Sequence, residues 1–225
     1  MDLWENYLNI YSSLPQHCER SWGFLSEPIN TISNIGFFIS AYLIYKSLKI
    51  NKFKSIPLKS FPLLIILIGV GSILYHAINN PYTLLADQIP IFIFIVYSLY
   101  ILLCFITDNK ILRYGIPLIL IFLQFIILAN IPLFVFGMPT RHVINFLFII
   151  IFSFMIYQKL GKTTLEIIPV LLVYGIGIFA RAFELIVCSV NGIGVHFFWH
   201  FCVALATYLT VKLLVRIYIL KGNIS

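Results

Sequence analysis

Residues 61–87 read FPLLIILIGVGSILYHAINNPYTLLAD, and this stretch decides the fold. An apolar run of roughly the 20 residues that a spanning helix needs carries His76 near its end, and the next apolar run opens with Asp87. An ionisable group at membrane depth costs from a few kcal/mol upward, so by default it marks function. The pattern returns near the C-terminal end, where His196 and His200 open the last apolar run. Three imidazoles with a nearby carboxylate suit a catalytic zinc, whose fourth position is left for water.

Composition agrees. The 225-residue chain is 61% hydrophobic and 10% charged, with a mean hydropathy of +1.00, against roughly 45–50% and 25% in soluble domains. Seven apolar stretches follow one another, near 29–46, 61–79, 84–106, 111–130, 141–159, 165–187 and 194–220. The first is weakened by Asn30, Thr31, Ser33 and Asn34. The fourth and fifth are hard to separate, with Gly137-Met138-Pro139 as the expected turn. Connections are short, so an all-α, polytopic seven-helix bundle is expected over 29–220, between an N-terminal arm (1–28) and a tail (221–225). The start of the chain holds Asp2 and Glu5 but no Lys or Arg, which does not fit a signal peptide.

Basic residues orient the bundle. With seven spans, the side reached after the first helix holds twelve of them (Lys46, Lys49, Lys52, Lys54, Lys59, Lys110, Arg113, Lys159, Lys162, Lys212, Arg216 and Lys221), and the N-terminal side holds Arg20 and Arg141. The N-terminus is therefore expected on the exoplasmic side and the C-terminus in the cytoplasm. The net charge of +7 is accounted for by the cytoplasmic leaflet and its anionic lipids, so no nucleic-acid partner is implied.

With a rise of 1.5 Å per residue, His76, Asp87, His196 and His200 all reach one layer near the exoplasmic interface. His196 and His200 stand four apart, a spacing that lets both grip zinc from one side, with His76 as third ligand. Such a pair does not suit haem, whose axial ligands usually come from facing helices. Asp87, at a helix N-terminus, is favoured as a carboxylate and suits a general base. Ser72, one turn from His76, can hydrogen-bond a developing oxyanion. His17 and His142 read as loop or cap residues. Arg181 and Glu184, three apart, read either as a buried ion pair or with Glu184 orienting a zinc histidine from outside the ligand set. Cys104 and Cys202 fall in spans, whereas Cys18 and Cys188 share the exoplasmic side and can pair there.

Cys18-Glu19, Glu27-Pro28-Ile29-Asn30-Thr31-Ile32-Ser33-Asn34, Gly69-Val70-Gly71-Ser72 with His76 and Asp87, and His196-Phe197-Phe198-Trp199-His200 together resemble the alkaline ceramidases. These belong to a superfamily of seven-helix membrane hydrolases that includes the adiponectin receptors. The resemblance runs from about Cys18 to the last helix. It implies an intramembrane zinc site that hydrolyses the amide of ceramide, with Ser72, Asp87, His76, His196 and His200 in the family's positions. It also implies an acidic residue at Glu184 and a disulfide between Cys18 and Cys188.

One departure stands out. Calcium-binding members carry a fuller acidic and amide cluster around a Trp-Cys-Glu run. Here Gln16-His17 precedes Cys18, and Arg20-Ser21 follows Glu19. Glu19 and Glu27 remain as carboxylates, short of the six to eight oxygens that calcium takes, so weak or no calcium dependence is expected. Two other functions share these residues. One is a receptor-like protein with a structural or weakly hydrolytic zinc site; the other is a hydrolase of another lipid amide or ester. The absence of a long extramembrane domain favours an enzyme.

Overall fold

The computed structural model describes residues 5, 8, 17–19, 25–53, 55–130, 134–135 and 138–222. The helices are α1 (Pro28–Ser33), α2 (Ile35–Ile50), α3 (Ile56–Lys59), α4 (Phe61–Ile78), α5 (Pro81–Ile106), α6 (Lys110–Asn130), α7 (Thr140–Leu160), α8 (Ile168–Ala182), α9 (Glu184–Asn191) and α10 (His196–Gly222), with a 3₁₀ segment at Gly161–Ile167. Every apolar stretch is thus helical, but two are broken. Asn34 separates α1 from α2, and Phe183 separates α8 from α9.

Among the described residues, five segments are long and apolar enough to cross a membrane: 56–78, 81–106, 142–159, 165–182 and 196–220. They mark an integral membrane protein. The broken α1–α2 pair and α6 do not reach that combination of length and composition among the described residues. Of the expected turn, Gly137 lies outside the described residues. Met138 and Pro139 pair antiparallel with Val135 and Phe134 in a two-residue ladder.

The α4–α5 hairpin sets the geometry of the site. Asn79 ends α4 in the left-handed conformation (φ 51°), its N–H bonded to Tyr75 O, as a helix-terminating residue does. Asn80 then caps α5. Its side chain accepts the Thr83 N–H at 2.9 Å, while the Thr83 hydroxyl oxygen accepts the Asn80 N–H at 3.1 Å, a reciprocal box followed by Pro81 at the favoured first position. Two connecting residues therefore fold α5 back along α4, bringing Asp87 beside Gly71 and Ser72. The fit is close: a Cβ on Gly71 would lie 2.0 Å from Ala86 O and 3.1 Å from Asp87 Cα. Pro90 has no N–H to offer the Ala86 carbonyl four residues earlier, and the missing Gly71 side chain gives that carbonyl room.

Core residues from six helices form one cluster, including Phe37 and Ile44 of α2, Leu58 of α3, Ile65 and Ile68 of α4, Phe94 of α5, Ile178 of α8 and Val211 of α10. The outer faces are apolar too, with Leu63, Ile111, Phe154 and Phe179 exposed. Buried polar side chains tie helices together, as they do where lipid offers no hydrogen bonds. Ser40 donates to Ala204 O at 2.8 Å, and Gln124 donates to Asn145.

Candidate metal centre

The arm wraps the end of the bundle where α4 finishes and α10 begins. The Ser26 and Glu27 N–H groups donate to Ala77 O and His76 O, both at 3.0 Å. Glu19 turns its carboxylate onto the start of α1, accepting the Ile29 N–H at 2.6 Å and the Asn30 N–H at 2.9 Å, a stabilising place for negative charge. Cys18 and Cys188 form a disulfide that anchors the arm to α9, with Cα atoms 5.5 Å apart. Cys104 and Cys202 take no part in a disulfide.

Inside this wrap, His76, His196 and His200 are buried at 1%, 6% and 3% exposure. Their ring centroids form a near-equilateral triangle: 4.9 Å from His76 to His196, 4.7 Å from His76 to His200, and 4.5 Å from His196 to His200. The Nε2 atoms of His76 and His196 stand 3.3 Å apart. Two nitrogens bound at 2.0–2.1 Å to one tetrahedral zinc would be roughly 3.3–3.4 Å apart, so this spacing fits a shared ion.

Outer partners determine which ring nitrogens are available. His76 Nδ1 faces a Glu27 carboxylate oxygen at 2.6 Å; the carboxylate can only accept, so Nδ1 carries the proton and Nε2 keeps its lone pair. The same Glu27 oxygen accepts from Asn30 at 2.9 Å. Ser33 gives its single hydroxyl proton to Asn30 O at 2.8 Å and lies 2.6 Å from His200 Nδ1. His200 is therefore the donor there, which again leaves Nε2 as a metal donor.

Ser72 is 2% exposed, and no hydrogen bond to its hydroxyl is formed among the described residues. Asp87 is buried, with one oxygen accepting from Gln88 Nε2 at 2.7 Å. Both stand on the α4–α5 hairpin with His76.

Three expectations change. His17 does lie in a loop of the arm, but that loop carries its ring into the site. Its ring stacks on His196 at 3.8 Å, and ligand atoms of His17, His76 and His196 all lie within 4.8 Å of one another, a group able to hold a metal ion. Burial first, and then the Arg181 guanidinium, holds the His17 ring well below its ordinary pKa. Among the described residues Arg181 and Glu184 form no ion pair, and the helix is interrupted at Phe183 between them. The Arg181 Nη1 instead reaches Nδ1 of both His17 and His196. Among the described residues Glu184 hydrogen-bonds no ring: its carboxylate accepts the Val195 N–H at 2.8 Å, just before α10. Gly194 (φ 75°) permits this, since a Cβ there would lie 2.4 Å from the Glu184 carboxylate. The residues holding the rings are Glu27, Ser33 and Arg181. His142 lies aside, bonded to Tyr174 at 3.0 Å.

The ceramidase family profile matches residues 11–223, nearly the whole chain. The chain belongs to the ceramidase family. No curated protein matches it significantly. For a ceramidase, the polar cluster Asn30, Thr31, Ser33 and Asn34 is no flaw in the first helix, since it is buried, with Asn30 donating to the Glu27 oxygen that meets His76 and Ser33 meeting His200. Family membership supports ceramide hydrolysis in general, and apolar helices suit a lipid substrate.

Proposed function

We propose that this protein is an intramembrane zinc-dependent amidohydrolase cleaving ceramide-like N-acyl sphingoid lipids into a fatty acid and a sphingoid base. The observation that carries this is the triangle of His76, His196 and His200, with the Nε2 lone pairs of His76 and His200 kept free by Glu27 and Ser33. Zinc bound there would supply a more acidic water and polarise the substrate carbonyl.

The chain's own residues do the rest. Asp87 accepts the proton of the attacking water and returns it to the leaving amine. Ser72 donates its hydroxyl to the oxyanion that develops on the amide carbonyl. Gly71 holds Asp87 against the serine turn. An apolar chamber of about 140 Å³, lined by Phe94, Leu99, Leu102, Phe148, Phe152 and Leu214, lies deeper in the bundle and suits part of an acyl chain. We further infer seven spans with the N-terminus exoplasmic, supported by the twelve-to-two distribution of basic residues. Glu19 and Glu27 are committed to α1 and His76, which supports a site independent of calcium.

The test is a hydrolysis panel of ceramides, N-acyl amines and lipid esters on the purified protein, with chelator and after zinc restoration, alongside metal analysis. Ceramide cleavage that chelation abolishes and zinc restores is expected. Zinc bound without cleavage of any lipid points to the receptor-like alternative; cleavage of esters alone overturns the substrate assignment.

A further inference from the structure

Arginine has hydrogen-bond donors only, so Arg181 imposes a tautomer on whatever imidazole it meets. Its Nη1 reaches His196 Nδ1 and, at 3.1 Å, His17 Nδ1. Donation to His196 Nδ1 puts that neutral ring's single proton on Nε2, the reverse of His76 and His200. A continuous chain results: Arg181 donates to His196, His196 Nε2 donates to His76 Nε2 at 3.3 Å, and His76 Nδ1 donates to Glu27.

Metal binding needs the His196 Nε2 lone pair. The ring proton must then sit on Nδ1, where it meets the Arg181 donor head-on. One acceptor is at hand to relieve this conflict. His17 is stacked nearly parallel on His196, with an interplanar angle of 26°, and its Nδ1, facing a guanidinium that can only donate, is an acceptor. In-plane lone pairs of parallel rings do not converge on one ion, which argues against His17 as a fourth ligand despite its proximity. Its Nδ1 already lies within reach of Arg181, and the adjoining Cys18–Cys188 disulfide fixes it there.

We propose that His17 is a positioning residue that takes over the Arg181 hydrogen bond when metal binds, freeing His196 to ligate while keeping the guanidinium beside the site. This rests on the zinc assignment above. A cation kept there favours the negative charge that develops during amide hydrolysis.

The experiment is zinc affinity of the full chain in detergent, by competition with a chromogenic chelator, with unfolding of the metal-free protein as the control for fold. His17→Phe keeps the stacked ring but loses the acceptor, so zinc affinity falls about tenfold or more, as for loss of a hydrogen bond to a charged group. His17→Gln, whose amide oxygen accepts from arginine, holds affinity to within about threefold of wild type. In an Arg181→Met background, where the conflict is gone, adding His17→Phe changes affinity by less than about twofold. An equal loss from His17→Phe in both backgrounds would make His17 a ligand and overturn the proposal. No loss in either background, or a loss of about tenfold in His17→Gln, overturns it as well. Wild-type protein that binds no zinc at all refutes the zinc assignment instead.

Discussion

Replacing Gly71 by alanine adds one methyl group at the tightest point of the α4–α5 hairpin. That methyl would lie 2.0 Å from the Ala86 carbonyl oxygen and 2.7 Å from its carbon, both backbone atoms that cannot rotate away. Opening the approach to the 3.4 Å of ordinary contact requires a shift of about 1.4 Å, taken up by α5 at the residue preceding Asp87. Overpacking of this kind typically costs about 1–3 kcal/mol of stability, which a bundle of this size can survive. A misplacement of about 1 Å at a catalytic group can cost about a hundredfold in rate. Gly71→Ala is therefore expected to retain its fold and its zinc while hydrolysing ceramide about a hundredfold more slowly. The assay is initial-rate cleavage of a fluorescent ceramide, with metal content and thermal unfolding measured on the same preparation. Gly115→Ala is the control: nothing lies within 4 Å of that Cβ, and exchanging a helical glycine for alanine should add about 0.5–1 kcal/mol of stability without affecting rate. A Gly71→Ala rate within threefold of wild type would refute the placement of Asp87 by this contact.

Asp87→Asn should lower hydrolysis by about 10²–10⁴-fold with zinc content unchanged; full activity would assign the base elsewhere. Ser72→Ala should cost about 2.7–4 kcal/mol of barrier if the hydroxyl serves the oxyanion, read as kcat at saturating lipid. Peptide mapping without reductant should recover Cys18 linked to Cys188, and Cys18→Ser should destabilise the protein by about 2–4 kcal/mol; two free thiols in unreduced protein would contradict the pairing. Calcium titrated into chelator-treated, zinc-restored enzyme should change the rate by less than about tenfold, or 1.4 kcal/mol, and a larger rise would reveal a calcium site.

The apolar stretches were legible because a spanning helix announces itself by length and composition. The convergence of His76, His196 and His200 followed from alternating helix direction, which places residues from distant spans at one end. The two helix breaks were not legible. Neither Asn34 nor Phe183 is a proline or glycine, and only tertiary packing shows that the chain turns there. The expected Arg181–Glu184 pairing spans the interruption at Phe183, and spacing rules hold only along a continuous helix. His17 lay in an arm with no periodicity to fix its direction. Ser33 did carry a signal, because four polar residues in five positions of an otherwise apolar segment must satisfy one another or something buried. Glu27 reads equally well as an ion ligand and as a histidine partner until its neighbours are known.

The wrap around the rings also imposes an order on folding. His200 takes its orienting serine from 167 residues earlier in the chain, and the disulfide joins cysteines 170 residues apart. The arm, which precedes the helices in the chain, therefore cannot take its final place until the last helix has formed and Cys188 has been oxidised. Contacts of such long range form slowly. A chain that lacks its last helix or its disulfide holds its histidines without their partners, so the cluster of rings is completed only in the fully folded protein.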